Sequence, residues 1–346
     1  MFLGYRKIKT VEPKGESVPH FDRLETRSIV NRENALFRDL RAVLGIAKAR
    51  SPALRAQLKN IPVELLKSRQ ELAQIPLLRR EDVQKLQSVA PPLGGMNAAR
   101  LATLKTLFHP RNGIVMADGH AKDWWGGARA LYAAGFRQGD IVLNACAYHF
   151  EAEGHAMESA ANAMGALVIP VGTEQLDRQI SILKSCPVTG YIGPKGHFSA
   201  LVSHGVTFKN ALILGKYPHT PAHEPAIPQN TAVFQVYTSP EVGIVAYESP
   251  ENHALIVNEG LIVEIVDPNT GKALPRGEFG EIVVTRVKAD LPLLRFATGD
   301  YAALACGPNP CGRTNLRLMF HHEASLKAVH GAHTLARRSD GASSHP

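Results

Sequence analysis

The chain has 346 residues, of which 45% are hydrophobic and 20% are charged. This length holds about two domains of ordinary size, and the composition is that of a globular protein with a large core. The net charge of +8 favours anionic ligands in general. The basic residues are scattered and not interleaved with aromatic residues, so the sequence does not predict a nucleic-acid partner.

The N-terminus has no apolar segment of signal-peptide length, and no run approaches the roughly 20 apolar residues of a membrane span. Four cysteines in a chain of this length, without a signal, indicate reduced thiols. We therefore expect a cytoplasmic protein that has no membrane partner. The composition of residues 332–346 predicts a disordered tail.

The first 95 residues predict a helical N-terminal region. From Glu33 onward, apolar residues recur on one helical face, namely Leu36, Leu40, Val43, Leu44 and Ala47. A second helix is predicted from Val63 to Leu72, with Pro62 at its first turn. The loop at 91–95, rich in proline and glycine, then marks a boundary.

Residues 96–248 predict an α/β subdomain. Helical patterns alternate with short apolar runs, and we expect a mainly parallel sheet flanked by helices. Helices are predicted around 124–132, 155–164 and 174–184. Strands are predicted at 141–145, 166–170, 190–192, 212–214 and 233–236, and the one at 166–170 is expected to be buried.

Residues 249–331 predict a small β-rich subdomain. Alternating apolar residues surround the turn Asp267–Gly271, which is typical of a β-hairpin. A second turn lies at Gly277 and Gly280, and it leads into a strand at 282–285. The segment Arg295–Asp300 ends on a carboxylate. The sequence therefore predicts an antiparallel sheet that presents Asp300 at one end.

Four segments resemble, in order, the motifs of the phenylacetate–CoA ligase family of adenylate-forming acyl- and aryl-CoA ligases. The family patterns are Y-G-x-[ST]-E, P-x-G-E-x-G-E, R-x-x-T-G-D and C-G-R-T. The matching segments are Tyr237–Gly243, Pro275–Glu281, Arg295–Asp300 and Cys311–Thr314. Each motif alone is weak, but their common order indicates shared ancestry. The resemblance covers roughly residues 33–331 and implies the large N-terminal domain of such a ligase.

The resemblance implies a function and its cofactors. In this family ATP and a carboxylate give an acyl-adenylate and pyrophosphate, and coenzyme A then takes the acyl group. The implied cofactors are ATP and Mg²⁺, with coenzyme A as co-substrate. The implied substrate is a small aromatic or acyl carboxylate of the phenylacetate type. Residues 96–248 would then bind the nucleotide and the acyl group.

The resemblance assigns Asp300 to the ribose of ATP. A carboxylate has two acceptor oxygens, which match the two hydroxyl donors of a ribose diol. The alternative is that Thr298–Asp300 forms only a turn between strands. Arg295, from the same motif, is assigned to nucleotide binding.

Glu241 is assigned to catalysis through Mg²⁺, because the phosphates require a hard oxygen ligand beside them. Tyr237 would lie against the adenine, and Thr238, where the family has glycine, would narrow the space beside the nucleotide. Pro240 replaces the family's hydroxyl residue before the glutamate. The alternative is a solvated glutamate and a core tyrosine.

The phosphate loop departs from the family's Ser-, Thr- and Gly-rich pattern. At its place stands Lys105–Gly113, in which Pro110 offers no N–H and only one glycine is present. Arg111, Lys105 or His109 would have to supply charge instead. The alternative is a surface loop that no longer binds phosphate.

Two further positions follow from the resemblance. Tyr148 begins the segment matching the family's aromatic loop at the acyl pocket, and its alternative role is that of a half-buried aromatic. Tyr217 stands where the family's G-E-P segment has glutamate.

The end of the chain lacks the family's hinge. The segment at 320–327 has neither the arginine nor the aspartates, and we expect the mobile C-terminal domain to be absent. The chain is then a truncated and degenerate relative of reduced activity. The alternatives are a nucleotide- or aryl-acid-binding or scaffold protein without catalysis, and an incomplete gene product.

Two cysteines and two histidines near the end are candidates for a metal site. Cys306, Cys311, His321 and His322 supply four soft ligands, but the spacing of the cysteines is looser than in most structural zinc sites. A hairpin with a C-G-R-T turn is favoured.

Overall fold

A mixed eleven-stranded sheet flanked by helices forms the centre of the molecule. The computed structural model describes residues 20–215, 228, 230–250 and 252–320. The helices in this part are α1 (Ile29–Arg50), α2 (Pro52–Gln57), α3 (Arg69–Leu72), α4 (Arg80–Val89), α5 (Ala128–Ala133), α6 (Glu153–Ala163), α7 (Leu176–Ser185) and α8 (Lys195–Ser203).

The strands are β1 (Thr106–Phe108), β2 (Met116–Asp118), β3 (Ile141–Asn144), β4 (Leu167–Pro170), β5 (Gly190–Pro194), β6 (Asn210–Leu214), β7 (Ala232–Ser239), β8 (Gly243–Ser249), β9 (Asn252–Val257), β10 (Leu261–Val266), β11 (Phe279–Arg286), β12 (Leu293–Leu304) and β13 (Arg317–Met319). Strands β1 and β2 form a separate antiparallel pair. The other eleven form the large sheet.

The large sheet has the order β10-β11-β12-β13-β9-β8-β7-β6-β5-β3-β4. From β4 to β7 the neighbouring strands are parallel, and from β7 to β10 they are antiparallel. The predicted α/β class, with a parallel half followed by a β-rich part, is confirmed. The two halves share strand β7, and the predicted boundary at 248/249 lies at the β8–β9 hairpin. The division into subdomains stays a prediction.

The predicted helical N-terminal region is formed by α1 to α4. On α1, the buried side chains of Leu36, Leu40, Leu44 and Ala47 lie on the predicted face, and they share a core with Ile262 of β10. Burial of each leucine contributes about 1.5–3 kcal/mol. This core fixes the helices against the antiparallel half of the sheet.

The predicted helix from Val63 to Leu72 is wrong. The segment forms a 3₁₀ turn at Val63–Leu65 and then the short helix α3. Ser68 interrupts the helix because its backbone is extended and its hydroxyl accepts a hydrogen bond from Gln70 N. This is the ordinary behaviour of serine at an N-cap.

Two features of the parallel half differ from expectation. Strand β4 is the edge strand of the sheet, and Leu167 on it is 63% exposed, so the predicted burial of this strand is wrong. Helix α8 was not predicted, although Phe198 and Leu201 anchor it in the core beside β5.

The hairpin turn at Asp267 is confirmed. Asp267 Oδ1 accepts hydrogen bonds from the backbone N–H groups of Asn269 (2.8 Å) and Thr270 (2.9 Å). This side chain–backbone turn reverses the direction of the chain between β10 and β11. No helix in the described ranges is both long and apolar enough to cross a membrane.

Candidate functional site

Tyr237 and Asp300 meet at the centre of the candidate site. Tyr237 lies near the end of β7, and its hydroxyl donates to Asp300 Oδ2 at 2.9 Å. The hydroxyl of Thr298 lies 3.3 Å from the same phenol and accepts from the backbone N–H of Asp300 at 3.2 Å. The bond from Tyr237 orients the carboxylate of Asp300, and the bond to Thr298 fixes the backbone of the same residue.

Burial of Tyr237, together with the negative charge of Asp300, raises the pKa of the phenol well above its ordinary value. Tyr237 therefore stays neutral and donates. Asp300 is only half-buried, and its Oδ1 accepts no hydrogen bond from any residue that the structure describes. One carboxylate oxygen thus remains available to a ligand that carries a donor.

The ring of Tyr237 is packed edge-on against Phe320, with centroids 5.1 Å apart. The sequence predicted that this ring faces the adenine, and that role stays a prediction. This contact places Phe320, the residue that follows β13, beside the site. Thr238 follows at a β-bulge between β7 and β8.

Glu241 lies in the turn between β7 and β8, and its side chain is 1% exposed. Three groups surround the carboxylate. Arg80 Nε lies 3.1 Å from Oε1, Asn112 Nδ2 donates to Oε1 at 2.9 Å, and Ser239 Oγ donates to Oε2 at 2.5 Å. Arg80 and Asn112 were not predicted as site residues, because no local motif marks their approach to Glu241, and Ser239 was not predicted although it lies within the Tyr237–Gly243 segment.

The predicted Mg²⁺ at Glu241 requires oxygen ligands. Among the residues that the structure describes, no group of three His, Cys, Asp or Glu side chains is arranged to hold a metal. Mg²⁺ is commonly bound by one or two carboxylates together with substrate phosphates. Glu241 and the hydroxyl of Ser239 fit an ion that enters with a nucleotide, provided that the guanidinium of Arg80 moves aside.

The segment Lys105–Gly113, predicted to stand in place of the family's phosphate loop, runs through β1 into the turn before β2. Its backbone donors already have protein partners: His109 N donates to Phe150 O, Arg111 N to Glu151 Oε1, and Gly113 N to Pro110 O. Asn112, from the same loop, reaches Glu241. The structure therefore brings the loop to Glu241, while the guanidinium of Arg111 stays on the exposed side.

Lys105, a predicted alternative source of positive charge at this loop, pairs with Asp118 at 3.6 Å. Burial raises the pKa of Asp118, and the ammonium of Lys105 opposes this shift. The pair occupies the base of the β1–β2 hairpin.

The guanidinium of Arg295 is bonded to residues other than Tyr237 and Asp300. Its guanidinium lies 3.1 Å from Glu264 and donates to the carbonyl oxygens of Ala73, Ile75 and Gly271. These bonds join the N-terminal helical region to the β10–β11 hairpin. The assignment of Arg295 to nucleotide binding stays a prediction, and in this arrangement its donors face protein oxygens.

Tyr148 lies before α6, where its hydroxyl accepts from Asn144 Nδ2 at 2.8 Å and its ring packs edge-on against His155. Burial and the nearby Glu158 raise the pKa of this phenol. Beside this helix is a cavity of about 30 Å³ whose walls include Trp125, Met157 and Thr238. Tyr148 is not among the described residues that line it.

The C-G-R-T motif anchors the segment before α1. Arg313 Nε donates to Glu25 Oε2 at 3.1 Å, and Thr314 Oγ1 donates to Arg27 O at 2.5 Å. Cys311 Sγ donates to Asn309 Oδ1. The other predicted features of this region, His321 and His322, and also Tyr217 and the tail, lie outside the described residues.

Curated proteins with a similar sequence are phenylacetate–coenzyme A ligases. No protein-family model matches the chain. The phenylacetate–coenzyme A ligase of Thermus thermophilus is 31% identical over 206 residues, which cover 55% of this chain and 46% of that protein. The enzyme of the same name from Aromatoleum evansii is 29% identical over 195 residues, 51% of this chain and 44% of that protein. The chain spans about half the length of the curated relatives it matches.

Solved structures match a larger share. A 2-hydroxyisobutyryl-CoA ligase in the postadenylation state has a TM-score of 0.77 at 19% identity, covering 91% of this chain and 72% of that one. An open conformation of that ligase, in complex with 2-HIB-AMP and CoA, has a TM-score of 0.77 at 20% identity, with coverages of 91% and 79%. The predicted resemblance to the phenylacetate–CoA ligase family is confirmed, and the fold is that of the large N-terminal domain of adenylate-forming ligases.

Proposed function

We propose that this chain activates a carboxylic acid with ATP, as the first half of an AMP-forming acid–CoA ligase reaction. The carboxylate of the acid attacks the α-phosphorus of ATP, an acyl-adenylate forms, and pyrophosphate leaves. Coenzyme A then displaces AMP in the second half. The observation that carries the proposal is the hydrogen bond from Tyr237 to Asp300, which leaves one oxygen of a fixed carboxylate open to a ligand.

Asp300 would bind the ribose. Its open Oδ1 accepts a ribose hydroxyl, while Tyr237 holds Oδ2 and Thr298 holds the backbone N–H of Asp300. A carboxylate that is already oriented loses little conformational freedom on binding, so more of the hydrogen-bond energy appears as affinity. Related architecture supports this role, since the 2-hydroxyisobutyryl-CoA ligase of the same fold binds acyl-AMP adducts.

Glu241 and the cations around it would serve the phosphates. Mg²⁺ bound with ATP supplies neutralisation of phosphate charge and uses oxygen ligands. Glu241 can offer such a ligand once Arg80 leaves it. Arg80, which is partly exposed, then faces the same phosphates, and Arg111 lies on the loop that also carries Asn112. Catalysis by these residues would consist of positioning and charge neutralisation.

The acid would lie beside α6, next to Thr238. The cavity there has apolar walls, and the adjoining Tyr148 and His155 form an aromatic edge. Apolar walls with a few polar groups are the usual form of a small-molecule site. The predicted acid is a small aromatic or acyl carboxylate, and the curated relatives are named for phenylacetate.

The test measures both half-reactions on the purified chain. Pyrophosphate exchange with ATP, Mg²⁺ and a panel of acids reports adenylation, and thioester release reports transfer to coenzyme A. We expect acid-dependent exchange that Glu241→Gln lowers by about 10²–10³, the usual cost of removing one preorganised electrostatic group. A folded chain that shows neither exchange nor AMP binding contradicts the proposal.

A second candidate is binding without catalysis. It is favoured by the loop at Pro110, where the backbone N–H groups of His109, Arg111 and Gly113 are bound to protein oxygens and are not free to wrap phosphates. The chain would then bind adenine nucleotide or an aryl acid and exchange no pyrophosphate. Calorimetry with AMP, run beside the exchange assay, separates the two candidates.

A further inference from the structure

Glu153 stands out among the acidic residues near the site because its carboxylate has no partner. It occupies the first turn of α6 and lines the cavity beside Thr238. Within residues 20–215, 228, 230–250 and 252–320, no side chain or backbone group donates a hydrogen bond to it, and no cation pairs with it. The neighbouring acids differ, since Glu241 has three partners and Glu151 accepts from Arg111 N.

The surroundings of Glu153 disfavour its negative charge. The cavity walls include Trp125, Ala156, Met157 and Ile244, which offer the carboxylate no polar contact. Burial raises the pKa of Glu153, and the nearby carboxylate of Glu151 raises it further. Below it, the thiol of Cys146 is buried, and its pKa is raised in part by the charge of Glu153.

The stability of α6 does not require the carboxylate of Glu153 to line the cavity. A carboxylate in the first turn of a helix interacts favourably with the helix dipole, worth about 0.3–1 kcal/mol at an exposed position. An exposed carboxylate would supply that interaction without lining an apolar cavity. A half-buried carboxylate that lines an apolar cavity without a partner is instead a group that a cationic ligand would stabilise.

The cavity also limits the size of its ligand. Its volume is about 30 Å³. A cavity that accepts benzene has about 150 Å³, whereas about 10–15 Å³ already holds a water molecule. An aromatic ring would have to displace the walls, but a short polar group enters without doing so.

We propose that Glu153 selects the acid substrate, and that the substrate is a short aliphatic acid with an ammonium group at its far end. The ammonium pairs with Glu153 in the cavity, while the acid's carboxylate lies towards the β7–β8 turn. This inference rests on the proposed function, because it takes the cavity as the acyl site. It narrows the predicted class from aromatic or acyl acids to amino acids of this type.

The test compares three acids of similar length: γ-aminobutyrate, γ-hydroxybutyrate and valerate, with phenylacetate alongside. Binding is measured by calorimetry without ATP, so that it does not depend on turnover. We expect γ-aminobutyrate to bind at least about tenfold more tightly than valerate, equivalent to about 1.4 kcal/mol. Glu153→Gln should remove this preference. Glu174→Gln, which removes a charge from an exposed position, should keep it.

Charge reversal guards against a variant that merely fails to fold. Glu153→Lys should lose γ-aminobutyrate and gain glutarate, which carries a second carboxylate in place of the ammonium. Equal binding of all acids by the unaltered chain, or a preference for γ-aminobutyrate that persists in Glu153→Gln, would overturn the inference. So would tighter binding of phenylacetate.

Pyrophosphate exchange with the same acids separates this inference from the proposed function. Binding selectivity that depends on Glu153, without exchange, supports the selection by Glu153 and counts against the adenylation activity. Exchange that is insensitive to Glu153→Gln and strongest with phenylacetate supports the activity and overturns the selection.

Discussion

The phenol of Tyr237 donates a 2.9 Å hydrogen bond to Oδ2 of Asp300, and this contact joins strand β7 to strand β12. Asp300 thereby has one oxygen fixed by protein and one that faces a ligand. The roles proposed for the two residues differ, since Asp300 contacts the nucleotide and Tyr237 orients Asp300.

Asp300→Ala should weaken AMP binding by at least about tenfold, because it removes charge-assisted hydrogen bonds worth about 1.5–3 kcal/mol each. Tyr237→Phe should weaken it less, by about the worth of one orienting hydrogen bond. Calorimetry with AMP measures both. Asp39→Ala, at an exposed helical position, serves as the control. Equal AMP affinity in the unaltered chain and in Asp300→Ala would refute the ribose role.

Arg80→Gln should make Glu241 more accessible to Mg²⁺. The guanidinium now lies 3.1 Å from the carboxylate, and its removal leaves only neutral donors there. We expect Mg²⁺ to bind several-fold more tightly in the presence of a non-hydrolysable ATP analogue, as measured by titration of the metal. Arg55→Gln is the matched control, since Arg55 lies on the exposed side of α2 and donates only to the backbone carbonyls of Lys48 and Ala49 at the end of α1 among the described residues. Weaker Mg²⁺ binding in Arg80→Gln would mean that the contact of Arg80 with the phosphates outweighs its competition with the metal for Glu241.

Arg295→Ala should destabilise the fold by about 3–5 kcal/mol, because it leaves Glu264 buried without its cation. Burial raises the pKa of Glu264, and Arg295 opposes this shift, so the lone carboxylate would take up a proton more readily. Urea unfolding measures the loss. Replacing both residues by leucine should restore part of the stability, since no uncompensated charge remains.

The same variant tests the predicted nucleotide role of Arg295. If its contacts are structural, folded Arg295→Ala at low temperature should bind AMP as the unaltered chain does. A tenfold loss of AMP affinity in protein shown to be folded would restore the predicted role.

The buried phenol of Tyr247 should make the free energy of unfolding depend on pH in the alkaline range. It is fully buried, its hydroxyl donates to Glu25, and burial with the charge of Glu25 raises the pKa of the phenol. The folded pKa lies above the unfolded value of about 10, so the stabilising contribution is complete below that pH. It is lost as pH rises above about 10, because the unfolded chain then releases a proton that the folded chain keeps.

The measurement is the free energy of unfolding between about pH 9 and 11. One such proton changes the slope by up to about 1.4 kcal/mol per pH unit. Tyr247→Phe should therefore flatten the alkaline decline, whereas Tyr132→Phe, at a half-buried ring near the surface, should not. An unchanged slope in Tyr247→Phe would contradict the assignment.

The parts of the fold with a strong period were predictable from sequence. The stripe from Leu36 to Ala47 and the turn at Asp267 depend on local spacing and turn chemistry, and both are confirmed. Edge position is not a local property, so the exposure of β4 could not be derived from its apolar residues. The helix predicted from Val63 to Leu72 is interrupted at Ser68, because this serine caps α3 although it lies within an apolar pattern.

The candidate site was predictable only where a motif carries it. Tyr237, Glu241 and Asp300 stand in ordered motifs, and the structure brings the first and third into contact. Arg80, Asn112 and Glu153 approach from helices and loops far away in sequence, and their relation to the site depends on tertiary packing. Spacing along the chain contains no signal for such contacts.

The order of strands has a consequence for the Tyr237–Asp300 contact. Strands β7 and β12 are separated in the sheet by β8, β9 and β13. In a flat sheet, four strand spacings of about 4.8 Å would hold these strands some 19 Å apart, too far for the two side chains to touch. The antiparallel half must therefore curl into a partial barrel with the site at its seam.

Strand β13 is the shortest strand of this partial barrel. It pairs with β12 through Ala303 and Leu304 only, and with β9 through Leu255 and Ile256 only. The partial barrel is therefore closed at two places. One is the hydrogen bond between Tyr237 and Asp300, and the other is the pairing of β13 with β9 and β12. Fraying of three residues, Arg317–Met319, would let the curl relax and would draw Asp300 away from Tyr237 without altering either residue.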